Sequence, residues 1–131
     1  MTKAGTKSEL ISVIIPAHNA ARHISATLRS VRDQTHRSLE IIAVDDGSTD
    51  NTGQILEKFA AEDRRMSVLR QDNSGVAMAR NLAISHSRGD FIAPLDADDI
   101  WHPEKLARQL SALIRGGPTV GIKAVQRCWM G

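Results

Sequence analysis

Apolar positions along this chain fall into two alternating textures. Short runs rich in β-branched residues stand at "LISVII", "LEIIAV", "MSVLR" and "DFIAPL". They are continuous rather than strictly alternating, which predicts strands buried on both faces. Between them, apolar residues recur at helical spacing. Ile24, Leu28 and Val31 form one stripe, and Ile55, Leu56 and Phe59 a second. Val76, Ala79 and Ala83 form a third, flatter one, and Leu106, Leu110 and Leu113 a fourth. The punctuation agrees. Ser48, Thr49 and Asp50 in "GSTDNT" read as N-caps of the second helix, and Asn73-Ser74 as the cap of the third. Pro103 and Glu104 suit the first turn of the fourth, and "RGGP", from Arg115 to Pro118, is its stop signal.

Strands and helices alternating at this spacing predict an α/β fold, a three-layer α/β/α sandwich around a mostly parallel sheet. Residues 1–9 read as a flexible tail and 10–131 as one domain. A further strand is expected at "TVGIKAV". Nothing later in the sequence would cover its edge, so the sheet reads as incomplete and self-association is expected there.

Parallel sheets of this kind bind ligands beyond the carboxyl ends of their strands. The first predicted strand runs into Pro16, Ala17, His18 and Asn19, and the second into Asp45, Asp46, Gly47 and Ser48. The third runs into Gln71, Asp72, Asn73 and Ser74, and the fourth into Asp96, Ala97, Asp98 and Asp99. One polar strand end is ordinary loop composition. Four on one edge, two of them with paired acids, are more than loops need.

Composition narrows the class. A chain of 131 residues, 41% hydrophobic and 24% charged, has the size and balance of one soluble domain. Aromatics make up only 3% and Tyr is absent, so Val, Ile, Leu, Ala and Met must build the core. A net charge of +2, without a basic run interleaved with aromatics, gives no footprint for nucleic acid. The single cysteine, Cys128, excludes an internal disulfide. "LISVIIPA" follows Glu9, is short for a signal peptide and lacks a cleavage signal. The expected location is the cytoplasm, with peripheral association at the inner face of the membrane as the alternative.

The acids carry the chemistry. Asp46, at a strand terminus, suits hydrogen bonding to the base or ribose of a nucleotide, and Gly47 after it allows close backbone approach or positive φ. Asp96 and Asp98 are one residue apart, so in an extended segment both project to one side. Two hard oxygen ligands there suit Mg²⁺ or Mn²⁺, with sites left for water and phosphates. Asp99 reads instead as support for the helix near Pro103. His18 offers a flat ring for a base to stack on, against the plainer reading of a surface histidine. Arg80, on the third helix, is either a diphosphate contact or a solvated charge. Gly75, Ala77 and Ala79 would let a ligand approach that helix closely.

Together, "ISVIIPAHNA", "AVDDGSTDNT", "DNSGVAMARNLAI" and "GDFIAPLDADDIWHPEKL" resemble the successive motifs of family 2 glycosyltransferases, in that family's order and spacing, over roughly Ile11 to Ile114. The resemblance implies the GT-A fold, a nucleotide-diphospho-sugar donor (most simply a UDP-sugar) and transfer with inversion to a glycan, lipid or protein acceptor, as in polysaccharide or cell-envelope biosynthesis. It implies that Pro16, Ala17, His18 and Asn19 surround the base, that Asp46 reads it, and that Arg80 lies near the donor. It also implies that Asp96 contacts ribose or metal and that Asp98 binds the metal bridging the phosphates. His18 stands where the family often has Tyr, and Ala83 where Gly is common. Family members run well beyond this length, and no catalytic base is assigned. The chain therefore reads as the donor-binding half of such an enzyme, or as a non-catalytic nucleotide-sugar-binding fragment. A receiver-like signalling domain has a similar outline, but needs an acid pair after the first strand, where Pro16-Ala17-His18-Asn19 stands instead.

Overall fold

The computed structural model of the chain describes residues 9–116 and 128–130. Its elements run β1 (Ile11–Ala17), α1 (Ile24–Arg32), β2 (Leu39–Asp46), α2 (Thr52–Glu62), β3 (Met66–Gln71), α3 (Val76–Ser85), β4 (Phe91–Pro94), α4 (Lys105–Gly116) and β5 (Cys128–Trp129). The strands form one parallel sheet in the order β3-β2-β1-β4-β5. The predicted α/β/α architecture is the one observed. "TVGIKAV" and the tail before Glu9 lie outside the described residues.

The strands lack period-two patterning because both sides of the sheet are covered. Ile11, Val13 and Ile15 face one layer with Ile24, Leu28, Leu56, Leu106 and Leu110, which brings α1, α2 and α4 onto that face. Ile14, Ile42, Val44 and Ile92 face the other, against Ala79 and Ala83 of α3. Burying each large aliphatic side chain contributes about 1.5–3 kcal/mol. On α3 the inward positions are methyl groups one turn apart, so its backbone can lie close against β1 and β2. Ala79 is thus spent on the sheet rather than on a ligand, and Val76, expected in the same stripe, is 51% exposed.

Two prolines sit inside strands without breaking the ladder. The Ile14 carbonyl accepts from Leu95 N–H, so that edge of β1 faces β4. The nitrogen of Pro16, two residues on, points the same way, beyond the last β1–β4 pair of Ile14 and Pro94. No partner is lost where the neighbouring strand has already ended. The two strands part there, and the gap opens at the carboxyl edge of the sheet.

At the opposite edge, Glu40 is buried among donors. Ser12 Oγ and the Arg88 backbone N–H donate to its carboxylate, and Gly89 N–H donates to Ser12 Oγ at 2.8 Å. Burial alone would raise the Glu40 carboxyl. The hydrogen bonds from Ser12 and Arg88, with the Arg88 charge, outweigh it and hold the group below its usual range.

Candidate functional site

The loop after β1 is fastened to the loop after β2. Asn19 has φ 49, the one positive φ outside glycine among the described residues, a region Asn tolerates better than most residues. From that position its Oδ1 accepts the Thr49 N–H at 2.8 Å and the Asp50 N–H at 3.3 Å, while its own N–H donates to Ser48 Oγ. Ala20 N–H donates to Thr52 Oγ1 and Ala21 N–H to Asp50 Oδ2. None of the residues expected to cap α2 holds the cap position, which is Asn51 and makes no side-chain cap bond. Asp50, one residue earlier, accepts the Thr52 N–H at 2.9 Å, whereas Ser48 and Thr49 serve the β1 loop. The Asn19 side chain, expected beside a base, has its acceptor oxygen committed to this joint.

Asp46 ends β2 and is 4% exposed. Its Oδ1 accepts from Gln71 Nε2 at 2.8 Å and Ser74 N–H at 2.7 Å, and its Oδ2 from Gly75 N–H at 3.0 Å. The expected Asn73-Ser74 cap of α3 is therefore absent. Gly75 occupies the cap position at φ 100 and ψ 163, a region essentially confined to glycine, and the Asp46 carboxylate binds the amides there. Burial pushes the Asp46 carboxyl up, but the bonds from Gln71, Ser74 and Gly75 and the nearby His18 charge prevail and lower it. Of the roughly four lone-pair directions of a carboxylate, three are filled, leaving one on Oδ2.

Gly47 meets both conditions expected of it. Its φ is 69, and a Cβ there would fall 2.6 Å from the Asn73 backbone nitrogen. Asn73 reaches across to donate from Nδ2 to the Asp46 carbonyl at 3.1 Å. The same carbonyl lies 2.8 Å from His18 Nδ1, and because a carbonyl only accepts, the proton is on that nitrogen. His18 thus stands with one ring edge anchored.

The acid segment after β4 is not extended, as the projection argument for Asp96 and Asp98 assumed. Ala97 and Asp98 form a turn closed by the Asp99 N–H donating to the Asp96 carbonyl at 3.1 Å. The two carboxylates diverge in surroundings. Asp96 pairs with Arg80 at 3.5 Å. Asp98 is exposed and makes no side-chain bond among the described residues. Asp99 lies well before α4, which begins at Lys105, so it does not cap that helix. Pro103 and Glu104, expected in its first turn, stand in the turn just before it, from which Glu104 pairs with Arg108.

These loops enclose a cleft of about 440 Å³, lined by Pro16, Ala17, His18, Asn19, Asp46 and Asp98 of the expected residues. Arg80 and Asp96 are not in its lining. They stand together beside it, and Arg80 Nε is buried without a partner among the described residues. The cleft is also lined by Gly75, expected to allow a ligand close, and by Ala20, His23, Asn73, Val76 and Ala97, which sequence reasoning gave other roles or none. No group of three His, Cys, Asp or Glu side chains able to hold a metal exists among the described residues.

Comparison with known proteins bears on this arrangement. The model of glycosyl transferase family 2 matches residues 12–128, further than the Ile114 to which the motifs extend. The chain is 44% identical over 106 residues to the putative teichuronic acid biosynthesis glycosyltransferase TuaG of Bacillus subtilis (strain 168), covering 80% of this chain and 42% of that protein. It is 41% identical over 107 residues to the UDP-Glc:alpha-D-GlcNAc-diphosphoundecaprenol beta-1,3-glucosyltransferase WfgD of Escherichia coli, covering 81% and 42%. Among solved structures, S. aureus TarS 1-349 in complex with UDP-GlcNAc superposes with a TM-score of 0.73 at 32% identity, over 81% of this chain and 31% of that one. The mannosyltransferase PcManGT from Pyrobaculum calidifontis, in complex with GDP-Man and Mn2+, gives 0.74 at 28% identity, over 79% and 32%. The chain spans less than half the length of these curated relatives.

Proposed function

The chain belongs to glycosyl transferase family 2, and from that premise we propose that it forms the donor-binding half of an inverting glycosyltransferase. The observation that carries this reading is the cleft itself, which gathers His18 from the end of β1, Asp46 from β2 and Asp98 from beyond β4 into one cavity. The solved neighbours with UDP-GlcNAc and GDP-Man support a nucleotide-diphospho-sugar as its occupant. In this reading Pro16, Ala17, His18 and Asn19 border the base. Asp46 offers its one unfilled acceptor direction to it, and the diphosphate extends toward Asp98. Arg80 and Asp96 flank that end as a charge pair.

The donor set suits a divalent cation. Asp98 is a hard oxygen ligand without other partners among the described residues and would hold Mg²⁺ or Mn²⁺, joined by Asp96 once that carboxylate leaves its pair with Arg80. A cation of this kind keeps several positions for water and substrate phosphates, so two protein acids suffice where a three-residue cluster is lacking. Bound there, it would offset the charge of the departing diphosphate. The chain's own residues supply the rest: a buried, charged hydrogen-bond acceptor at Asp46 and an oriented ring at His18.

The relatives' names support an acceptor among cell-envelope glycans or their lipid-linked precursors. A lipid-linked acceptor would bring the protein to the inner face of the membrane. No helix among the described residues is long and apolar enough to cross one.

The test is calorimetric titration of UDP and GDP, with and without Mn²⁺, into the chain and its Asp98→Asn variant. Asn keeps the volume and removes the charge, and Asp98 is exposed, so circular dichroism should be unchanged. The variant is expected to lose the Mn²⁺-dependent gain in affinity, at least tenfold. Equal gains in both proteins would sink the assignment of Asp98.

A further inference from the structure

The acid turn is held from below by one helix. Thr27 and Ser30 of α1, three apart and so on one side of the helix, and Gln34, two residues past its end, reach the same segment. Each bonds the backbone of the segment that follows β4. Thr27 Oγ1 donates to the carbonyl of Ala97 at 2.9 Å. Ser30 Oγ accepts the Trp101 N–H at 3.1 Å and donates to the Thr27 carbonyl at 2.7 Å. Gln34 Nε2 donates to the His102 carbonyl at 2.7 Å, and its Oε1 accepts the Leu106 N–H at 3.1 Å. Thr27 and Gln34 are both 0% exposed. A buried hydroxyl and carboxamide on an otherwise apolar flank persist only where their bonds are made.

We propose that Thr27 is a positioning residue for Asp98. Its hydroxyl fixes the Ala97 carbonyl, one residue before Asp98, while Ser30 and Gln34 tether the chain on toward α4. The segment from Leu95 to Glu104 has no helix or strand to hold it. Among the described residues Asp98 makes no side-chain bond, and the turn is closed by the bond from Asp99 N–H to the Asp96 carbonyl. The direction of the Asp98 carboxylate is therefore set from outside the turn, where Thr27 holds the carbonyl of the residue just before it. Metal-dependent binding should then respond to Thr27, which touches neither nucleotide nor cation, while binding of the nucleoside should not. This inference rests on the reading of Asp98 as a metal-binding residue.

The experiment compares the 131-residue chain with Thr27→Val, which removes only the hydroxyl, and with Thr27→Ser, which restores it. Each is titrated with uridine, guanosine, UDP and GDP, with and without Mn²⁺. Thr27→Val is expected to lose at least tenfold in diphosphate affinity with Mn²⁺ and to keep nucleoside affinity, and Thr27→Ser to recover most of the loss. The proposal is overturned if Thr27→Val keeps the parent's Mn²⁺ gain, or if nucleoside and diphosphate affinities fall together, the mark of a merely structural role. A parent chain with no Mn²⁺ gain overturns it as well, and in that case the metal reading of Asp98 fails with it. Should circular dichroism show Thr27→Val unfolded, Ser30→Ala takes its place, with the same split expected and its absence decisive against the proposal.

Discussion

At the scale of single residues, Asp46 makes the strongest demand on the structure. It is a buried carboxylate receiving three donors, two of them backbone amides that no side-chain change can redirect. Asp46→Asn would turn an N–H₂ toward one of those amides, setting donor against donor. Losing a charge-assisted hydrogen bond of this kind costs about 1.5–3 kcal/mol, and urea denaturation at neutral pH should show a loss of that size. The pH dependence has a definite sign. The folded carboxyl sits below its ordinary value of 3.8. Its contribution is therefore complete above that value and disappears as pH falls through the lower, folded one. The parent should lose stability below about pH 4 more steeply than Asp46→Asn does, and parallel curves would contradict the assignment. The sequence showed that an acid stood at this strand end. It could not show that the acid's partners were Gln71 and the amides before α3, because they come from a strand and a helix that only the sheet order brings alongside.

The elements were legible where a period ran unopposed. Ile24, Leu28 and Val31 are all buried, as their spacing predicted. The stripe on α3 failed at its first residue, since Val76 projects beyond the sheet edge into the cleft wall. Pattern also overlooked Thr27, Ser30 and Gln34, because polar residues on a helix or in the loop after it read by default as solvent-facing. A buried Gln becomes informative only when the backbone it serves is known. Turn chemistry was legible at Gly47, and it carries a prediction. Ala there would hold an L-residue at φ 69, at about 1–2 kcal/mol, and drive its methyl into the Asn73 backbone. Gly47→Ala should therefore lose at least about 2 kcal/mol in urea denaturation. It should also weaken UDP binding, since Asn73 bridges to the Asp46 carbonyl beside His18. A variant as stable as the parent would mean the β2 and β3 loops are not in contact.

For the whole molecule, family motifs in the sequence conveyed the architecture and the edge where the cleft lies, and the parallel order β3-β2-β1-β4-β5 explains why one edge carries all the polar strand ends. The separation of Arg80 and Asp96 from the cleft was not legible, because it depends on how the turn after β4 folds back. The sequence after Glu104 contains neither Asp nor Glu, while inverting transfer needs a base for the acceptor hydroxyl. The 131-residue chain, given labelled UDP-sugars, Mn²⁺ and a panel of acceptors, is expected to bind donor without transferring it. Turnover above the protein-free rate would show that one of its own acids is the base. The joint made by Asn19 has a bearing on time as well as place. It ties positions 30 residues apart, so it closes only after β1 and β2 have paired and the chain between them has been gathered in. The mouth of the cleft is thus assembled late and, lying in exposed loops, opens early on warming. Ligand binding should fade while the sheet beneath is still whole.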